Sequence, residues 1–500
     1  MTLEAVEADL DRVLDEFLKE GPDPAALERI RTQVRAGEIY SRDSVENLAH
    51  RYGQGLSVGL TVADIEGWDD ALAEVTEADV MAAARLVLDR RNAVTGWLTR
   101  PAAEGEDHNI PFAALEIQFL GGTSLDAPEQ RGAVNLMTAT VEEGAGEMDS
   151  RAFAEARDDL AAKIRFNANS DSVSVSVKFL TENRDQVVDL LREALVNPRF
   201  DQDAVDRVRE QVLSNLRSNA KDPGRIASER FDAMAFGDHP YASTGDGTIE
   251  TVTALTREDV QVAHKSALAR DRVYVAASGD ITAEDLGVLL DRLLGDLPAT
   301  GAPLPDDAPW LLPGGVTVVD FPTPQATVFF GQSGIARDDP DFFPAFVLNE
   351  VLGGGRFTAR LMTEVREKRG LTYGIGTYIV NMDHADMILG QFAASNDKVA
   401  EAIRVVKEEW GRVASEGVTP EELEATKTYL TGSYPLRFDG NGPIASILVG
   451  MQMDGMPMDY ITTRNAKVEA VTMEDIRRVA ARLFKADDLQ FVVVGQPTGL

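Results

Sequence analysis

Hydrophobic positions recur along the chain in two rhythms. Val173, Val175 and Val177 alternate with serines, which is the period of a half-buried strand. Residues 112–120 and 326–332 are apolar runs that lead into Gly or Ser turns, and each precedes a segment of helical spacing. Thr181–Leu195 follows the valine strand as a predicted helix. Met387–Phe392 followed by Asn396–Trp410 repeats that strand-then-helix order.

The most informative stretch runs from Gly353 to Val380. Gly353, Gly354 and Gly355 open it, and glycines leave backbone N–H groups uncovered by side chains. Phe357, Leu361 and Val365 stand four apart, which predicts a helix with one buried face. Gly370 is placed to end that helix in the left-handed conformation. From Leu371 to Val380 the pattern becomes that of a strand, with Gly374 and Gly376 leaving one face bare for another backbone to approach. Arg366 on the last helical turn and Tyr373 at the strand start then point at one place. The glycine run lacks the Gly-Lys-Ser/Thr ending of a phosphate loop. It reads as a tight turn, or as a peptide contact through Gly354, Gly355 and Phe357.

The rhythms recur at long range. Residues 21–101 match 417–497 at a constant offset of 396, with Gly21/Gly417, Pro24/Pro420, Ile65/Ile461, Asp79/Asp475 and Pro101/Pro497 among the identical pairs. A looser third copy runs from about Asn197 to Asp280. Thr76, Thr256 and Thr472 each precede an aspartate by three residues, at Asp79, Asp259 and Asp475, a capping-box spacing. A closing apolar run follows, as in Val273–Ser278 and Leu489–Gly495. Pro/Gly/acid-rich linkers at Arg100–Pro111 and Pro298–Gly315 divide the chain into 1–103, 104–300 and 301–500. The first is a back half only, and the other two are whole units. The fold class expected is α+β: repeated two-layer lobes of a mixed, mostly antiparallel sheet with helices on one face. A back half cannot close its own sheet, so residues 1–103 are expected to need a complement from a longer polypeptide or from another subunit.

Composition narrows the function classes. Acidic residues outnumber basic ones 83 to 49, for a formal charge of -34, a field that repels nucleic acid and anionic membrane. No apolar run approaches the roughly 20 residues of a membrane span, and the acidic N-terminus lacks a signal peptide's basic and apolar regions. The absence of cysteine excludes thiolate chemistry and leaves a soluble location in periplasm or cytoplasm open.

The three-fold repeat, Phe236-Gly-Asp-His-Pro-Tyr241 leading into Gly245–Gly247, and the Arg366-x6-Tyr373 spacing together resemble the pitrilysin/insulinase-type zinc metallopeptidases, which include the mitochondrial processing peptidases. That family binds zinc through His-x-x-Glu-His on one helix and a further Glu downstream. In the matching stretch, Gly132–Ala139, Asn135, Thr138 and Ala139 stand where His, Glu and His would be, and Asn215 stands where the last ligand would be. The five histidines, His50, His108, His239, His264 and His384, are too scattered to replace them. His239 reads as a turn residue, and the neighbouring acids Glu142 and Glu143 as solvated.

The resemblance implies that Arg366 and Tyr373 correspond to an Arg/Tyr pair that holds peptide and steadies the forming oxyanion. A guanidinium and a phenol O–H suit developing negative charge. Read without the resemblance, they are a helix-end cation and a core aromatic. The implied function is the non-zinc half of a metallopeptidase that encloses unfolded peptides, with zinc on a partner subunit or N-terminal half. The alternative is a non-proteolytic peptide-binding or scaffold subunit like the core proteins of respiratory complexes.

Overall fold

The computed structural model describes residues 3–24, 27, 30, 45–88 and 111–500. It divides into two compact units, 1–104 and 105–500. The linker expected at Arg100–Pro111 and the closing strand of the first repeat fall outside the described residues, apart from Pro111.

In the second unit two sheets form, and each follows from alternation in the sequence. In the first lobe, strands β1 (Phe112–Leu120), β2 (Lys163–Ala168), β3 (Ser172–Leu180) and β4 (Val273–Gly279) are ordered β2-β3-β1-β4. The antiparallel register sets Leu115 opposite Val177, Ile117 opposite Val175 and Phe119 opposite Val173. All six are buried on the face packed by helices Ala133–Thr140, Arg184–Val196 and Arg257–Ala267. In the second lobe, β5 (Gly315–Asp320), β6 (Gln325–Ser333), β7 (Ile375–Asn381), β8 (Asp386–Ser395) and β9 (Gln490–Gly495) are ordered β5-β9-β6-β8-β7. The inner order β7-β8-β6-β9 repeats that of the first lobe. Strand β5 adds a parallel edge on β9, which makes this sheet mixed. Trp410, Phe484 and Phe491 are among the large side chains buried in its core.

Each lobe lends one helix to the other. Helix Pro223–Phe236 lies against β6 and β9 of the second lobe. There Ala227, Phe231 and Ala235 bury against Phe329, Met387, Leu389, Val492 and Val494. Phe231 meets Phe329 edge-to-face at 5.1 Å, and Trp310 of the ordered linker packs beside it at 6.1 Å. In return, helix Asn441–Met453 crosses β4 and β1, where the Gln452 amide donates to the Val275 carbonyl at 2.8 Å. Both sheets are therefore covered on two faces.

The elements among the described residues of the first unit are helices: Leu3–Glu20, Val45–Ser57, Val62–Glu66, Trp68–Glu74 and Glu77–Val87. Helices Val45–Ser57 and Glu77–Val87 match Asn441–Met453 and Met473–Leu483 at the 396-residue offset, end for end. All three capping boxes form. Thr76, Thr256 and Thr472 each accept from the aspartate N–H three residues on at 3.2 Å, and the carboxylate accepts from the threonine N–H in return. Among the described residues of this unit, only Ile65, Met81 and Ala84 are buried hydrophobics, while Leu56, Val58, Leu86 and Val87 are exposed.

Truncating Phe231 to Ala removes the centre of the exchanged-helix contact. A loss of about 3–5 kcal/mol is expected, read by chemical denaturation of the full chain. On the same helix, burial first and then Glu229 raise the Asp232 carboxyl to about 7. The folded state thus holds a proton that the unfolded chain releases. Its stabilising contribution is complete below the ordinary carboxylate value and is lost as pH rises to about 7. Asp232→Asn should melt at a higher temperature than the parent at pH about 8 and show little difference at pH about 4, in thermal melts across that range.

Candidate functional site

Helix Phe342–Leu352 is apolar on nearly every side and buried, and its C-terminal end positions the rest. The Gly353 and Gly354 N–H groups donate to the Asn349 carbonyl at 2.8 and 3.0 Å. The glycine run therefore closes the preceding helix, and those two N–H groups are not open to a ligand. Gly354, expected to touch substrate, is buried, and a Cβ there would lie 2.3 Å from the Glu350 carboxylate. Gly355 is exposed with open space beside it.

Gly353 fastens the helix end to edge strand β7. Its carbonyl accepts from the Thr377 N–H at 2.7 Å, and a Cβ on it would fall 2.2 Å from the Thr377 hydroxyl. That hydroxyl donates to the Asn349 side chain at 2.8 Å, and the Asn349 amide donates to the Thr377 carbonyl at 3.2 Å. The bare glycine face expected at Gly376 is used here, with the Gly353 carbonyl 3.4 Å from where a Gly376 side chain would begin.

The segment beyond departs from the simple helix expected. Met362–Glu367 is a π-helix, with the Lys368 N–H donating back five residues to Thr363 at 3.0 Å. Leu361 and Val365 anchor it in the core as their spacing predicts, but Phe357 is 64% exposed and lies off the buried face. Gly370 adopts φ +59, and the N–H groups of Gly370 and Leu371 donate to Arg366 at 2.8 Å and Val365 at 3.0 Å. The strand begins at Ile375, not Leu371, because residues 371–374 first turn back across the helix end. The Thr372 hydroxyl donates to the Ala393 carbonyl at 2.6 Å and fixes that turn.

Arg366 and Tyr373 are thereby brought together. The Arg366 guanidinium carbon lies 5.3 Å from the centre of the Tyr373 ring and 4.9 Å from the centre of the Phe357 ring. Tyr373 is 65% exposed, so it is not a core aromatic. A guanidinium over two ring faces is held by cation–π attraction, which uses none of its N–H donors as hydrogen bonds to oxygen. A second cation precedes Phe357 in the chain. Arg356, missed in the sequence, stacks over Tyr429 at 4.9 Å and donates to the Thr426 hydroxyl at 2.6 Å. Its only sequence signal is its place next to the glycines.

The positions matched to zinc ligands do not fit a metal ion. Asn135 is half-buried and its amide donates to Asp246 at 3.4 Å, and Asp246 is also paired with Arg225. The Thr138 hydroxyl donates to the Val134 carbonyl at 2.8 Å within its own helix. Ala139 and Asn215 are exposed and offer no ionisable donor. Among the described residues, no three His, Cys, Asp or Glu are grouped to hold a metal ion. His264 is buried against the Leu195 carbonyl at 2.9 Å, and burial pushes its pKa down to about 4. His239 is a turn residue, its ring accepting from the Tyr241 N–H at 3.2 Å. Glu142 and Glu143 are not merely solvated. Glu142 pairs with Arg157, and Glu143 with Arg207, each at 2.7 Å.

Residues 102–248 match the sequence profile of insulinase (peptidase family M16), and 254–430 match that of the peptidase M16 inactive domain. The chain belongs to the peptidase M16 family. It is 24% identical over 398 residues to a non-peptidase homolog, YmxG, of Helicobacter pylori, covering 79% of this chain and 91% of the relative. It is 22% identical to a probable mitochondrial-processing peptidase subunit beta of Arabidopsis thaliana, over 77% of this chain and 74% of that one. Among solved structures, a peptidase M16 inactive domain from Pseudomonas fluorescens superposes with a TM-score of 0.74 at 27% identity, covering 79% of this chain and 94% of the other. The M16 fold of the two lobes is thus shared. Among the described residues no helix is long and apolar enough to cross a membrane.

Gly353→Ala should destabilise the protein by about 1–3 kcal/mol in denaturant titration, because the added methyl displaces Thr377 and breaks buried hydrogen bonds. Gly355→Ala, with open space around it, should change little.

Proposed function

We propose that this chain is the non-zinc half of an M16 metallopeptidase. It would close around unfolded peptide and present Arg366 and Tyr373 to the carbonyl attacked at a zinc centre carried by a partner half. The observation that carries the reading is the Arg366 guanidinium, flanked by Phe357 and Tyr373 and making no hydrogen bond or ion pair within the described chain. An always-charged, preorientated donor near the surface is suited to hold a peptide carbonyl and to bind it more tightly as charge develops on the oxygen. Tyr373 leads within two residues into β7, an edge strand whose outer side has no sheet partner among the described residues. Phe357 and exposed Gly355 border the same surface.

The need for a partner is supported by the donor set, since Asn135, Thr138, Ala139 and Asn215 supply no zinc ligand. The first unit adds support. Its helix Val45–Ser57 is the counterpart of Asn441–Met453, which in the second unit covers a sheet. A binding or scaffold role without proteolysis is the second reading, favoured by the likeness to a relative named a non-peptidase homolog.

The test is reconstitution with a half carrying His-x-x-Glu-His. Arg366→Ala and Tyr373→Phe should each lower turnover of a quenched peptide by more than about tenfold while the zinc content of the assembly stays constant. Unchanged turnover in both variants removes the catalytic role. A reconstituted pair that never cleaves, with or without chelator, supports the scaffold.

A further inference from the structure

Many arginines of this acidic chain end on a carboxylate, among them Arg157, Arg207, Arg225 and Arg360. Three others, Arg356, Arg437 and Arg464, have no carboxylate within ion-pair distance among the described residues. They are ordered by helix Pro420–Ser433, on which Thr426 and Leu430 stand four apart and share a face with Tyr434 just beyond its end. Arg356 donates to the Thr426 hydroxyl at 2.6 Å and stacks over Tyr429 at 4.9 Å. One turn on, Arg464 donates to the Leu430 carbonyl at 2.7 Å and stacks over Tyr434 at 4.6 Å. Arg437 lies exposed in the turn Tyr434–Phe438 that continues the helix.

The carboxylate common to all three is Glu350. It lies near the end of helix Phe342–Leu352, turned against Gly354, where an added Cβ would meet it at 2.3 Å. Burial raises its carboxyl, and Arg356, Arg437 and Arg464, in that order, oppose the rise. Three guanidiniums therefore face one carboxylate. Arg464 is buried and closed to a ligand, whereas Arg356 is half-buried and Arg437 exposed. Of the five N–H donors on Arg356, one is spent on Thr426, and Arg437 donates to no oxygen within the described chain. Exposed Tyr429 and Leu436 supply apolar ground around them. Phe357 links the group to Arg366, since it follows Arg356 directly and its ring centre lies 4.9 Å from the Arg366 guanidinium carbon. On a chain of formal charge -34, which repels carboxylates over most of its surface, a local excess of fixed cations selects where one can land.

We propose that Arg356 and Arg437 form a carboxylate-binding subsite for captured peptide. The substrate class it selects is peptide that carries an acidic side chain or a free C-terminus. A guanidinium suits this task because its parallel N–H groups meet both oxygens of a carboxylate. The subsite rests on the reading that peptide lies on this face, and it concerns selection, not hydrolysis.

Isothermal titration of the full chain with short acetylated peptides of otherwise equal sequence tests the subsite. One carries a central Glu and a C-terminal amide, one a Gln and a free C-terminus, and one a Gln and an amide. A carboxylate peptide should bind at least about tenfold more tightly than the neutral one, and which of the two does so identifies the source of the carboxylate. Arg356→Gln and Arg437→Gln should each remove most of that difference. Arg437 is exposed, so its variant reports on the subsite even where Arg356→Gln disturbs the packing at Thr426. Arg151→Gln, at an exposed position on a first-lobe helix, should leave the preference unchanged. Equal binding of all the peptides, or a preference that survives both variants, would overturn the subsite and leave peptide capture intact. An equal loss in Arg151→Gln would trace the preference to overall charge and overturn it too. Absence of binding by every peptide would also overturn it, while turnover of the Arg366 and Tyr373 variants still decides hydrolysis separately.

Discussion

The end of the second lobe that carries Arg366 and Tyr373 depends on one buried junction. The Gly353 carbonyl, the Thr377 backbone and the Asn349 side chain form a closed set of hydrogen bonds with no solvent to replace any member. This set ties the end of a core helix to the outermost strand of the sheet. The chain between the two tied points must make its excursion in the 20-odd residues that remain, and that excursion holds Phe357, Arg366 and Tyr373. A methyl group at Gly353 cannot be accommodated without opening the junction. The position of the Arg/Tyr pair is therefore set by backbone chemistry in the core.

The excursion itself is stabilised unevenly. Leu361 and Val365 are buried completely, and Glu364 is held by two cations, so the inner face of the π-helix is well fixed. The outer face carries a guanidinium between two exposed rings, an arrangement worth about 0.5–1 kcal/mol per ring. Such a group is held in direction and can still exchange its ring contacts for a ligand. A π-helix concentrates this contrast, because widening one turn displaces the side chains that follow it.

Much of the architecture was legible before the structure. The alternation of Val173, Val175 and Val177 gave both strand and buried face, because a sheet with one apolar side enforces a period of two. The threonine–aspartate capping boxes located three helix starts to the residue, since that bond is local and owes nothing to tertiary context. The site was legible only in part. Spacing by four placed Phe357 with Leu361 and Val365, but the first helical turn there starts at Arg360 and the helix then widens, so Phe357 faces out over Arg366. The glycines were read as exposed N–H groups, whereas the end of the preceding helix had already claimed two of them through the Asn349 carbonyl. Strand onset at Ile375 was hidden because Thr372 spends its hydroxyl on a turn.

The helix of the first lobe that carries Asn135, Thr138 and Ala139 is held in place by side chains other than these three. Helix Ala133–Thr140 is started by Asp126, which accepts from the Gly132 N–H at 2.9 Å and the Val134 N–H at 3.0 Å. Burial raises that carboxyl to about 6 even against these donors, so it is enclosed in the fold. Arg131 then fastens the helix start to the turn at Pro240, donating to its carbonyl at 2.5 Å and to that of Ser243 at 2.9 Å. These contacts involve side chains outside the zinc positions. Asn135, Thr138 and Ala139 therefore stand on a helix whose place is secured by other side chains. In the second lobe, the Arg366 segment is likewise secured by Gly353 and Thr377 rather than by its own exposed residues. The helix of the first lobe and the Arg366 segment of the second thus rest on separate supports.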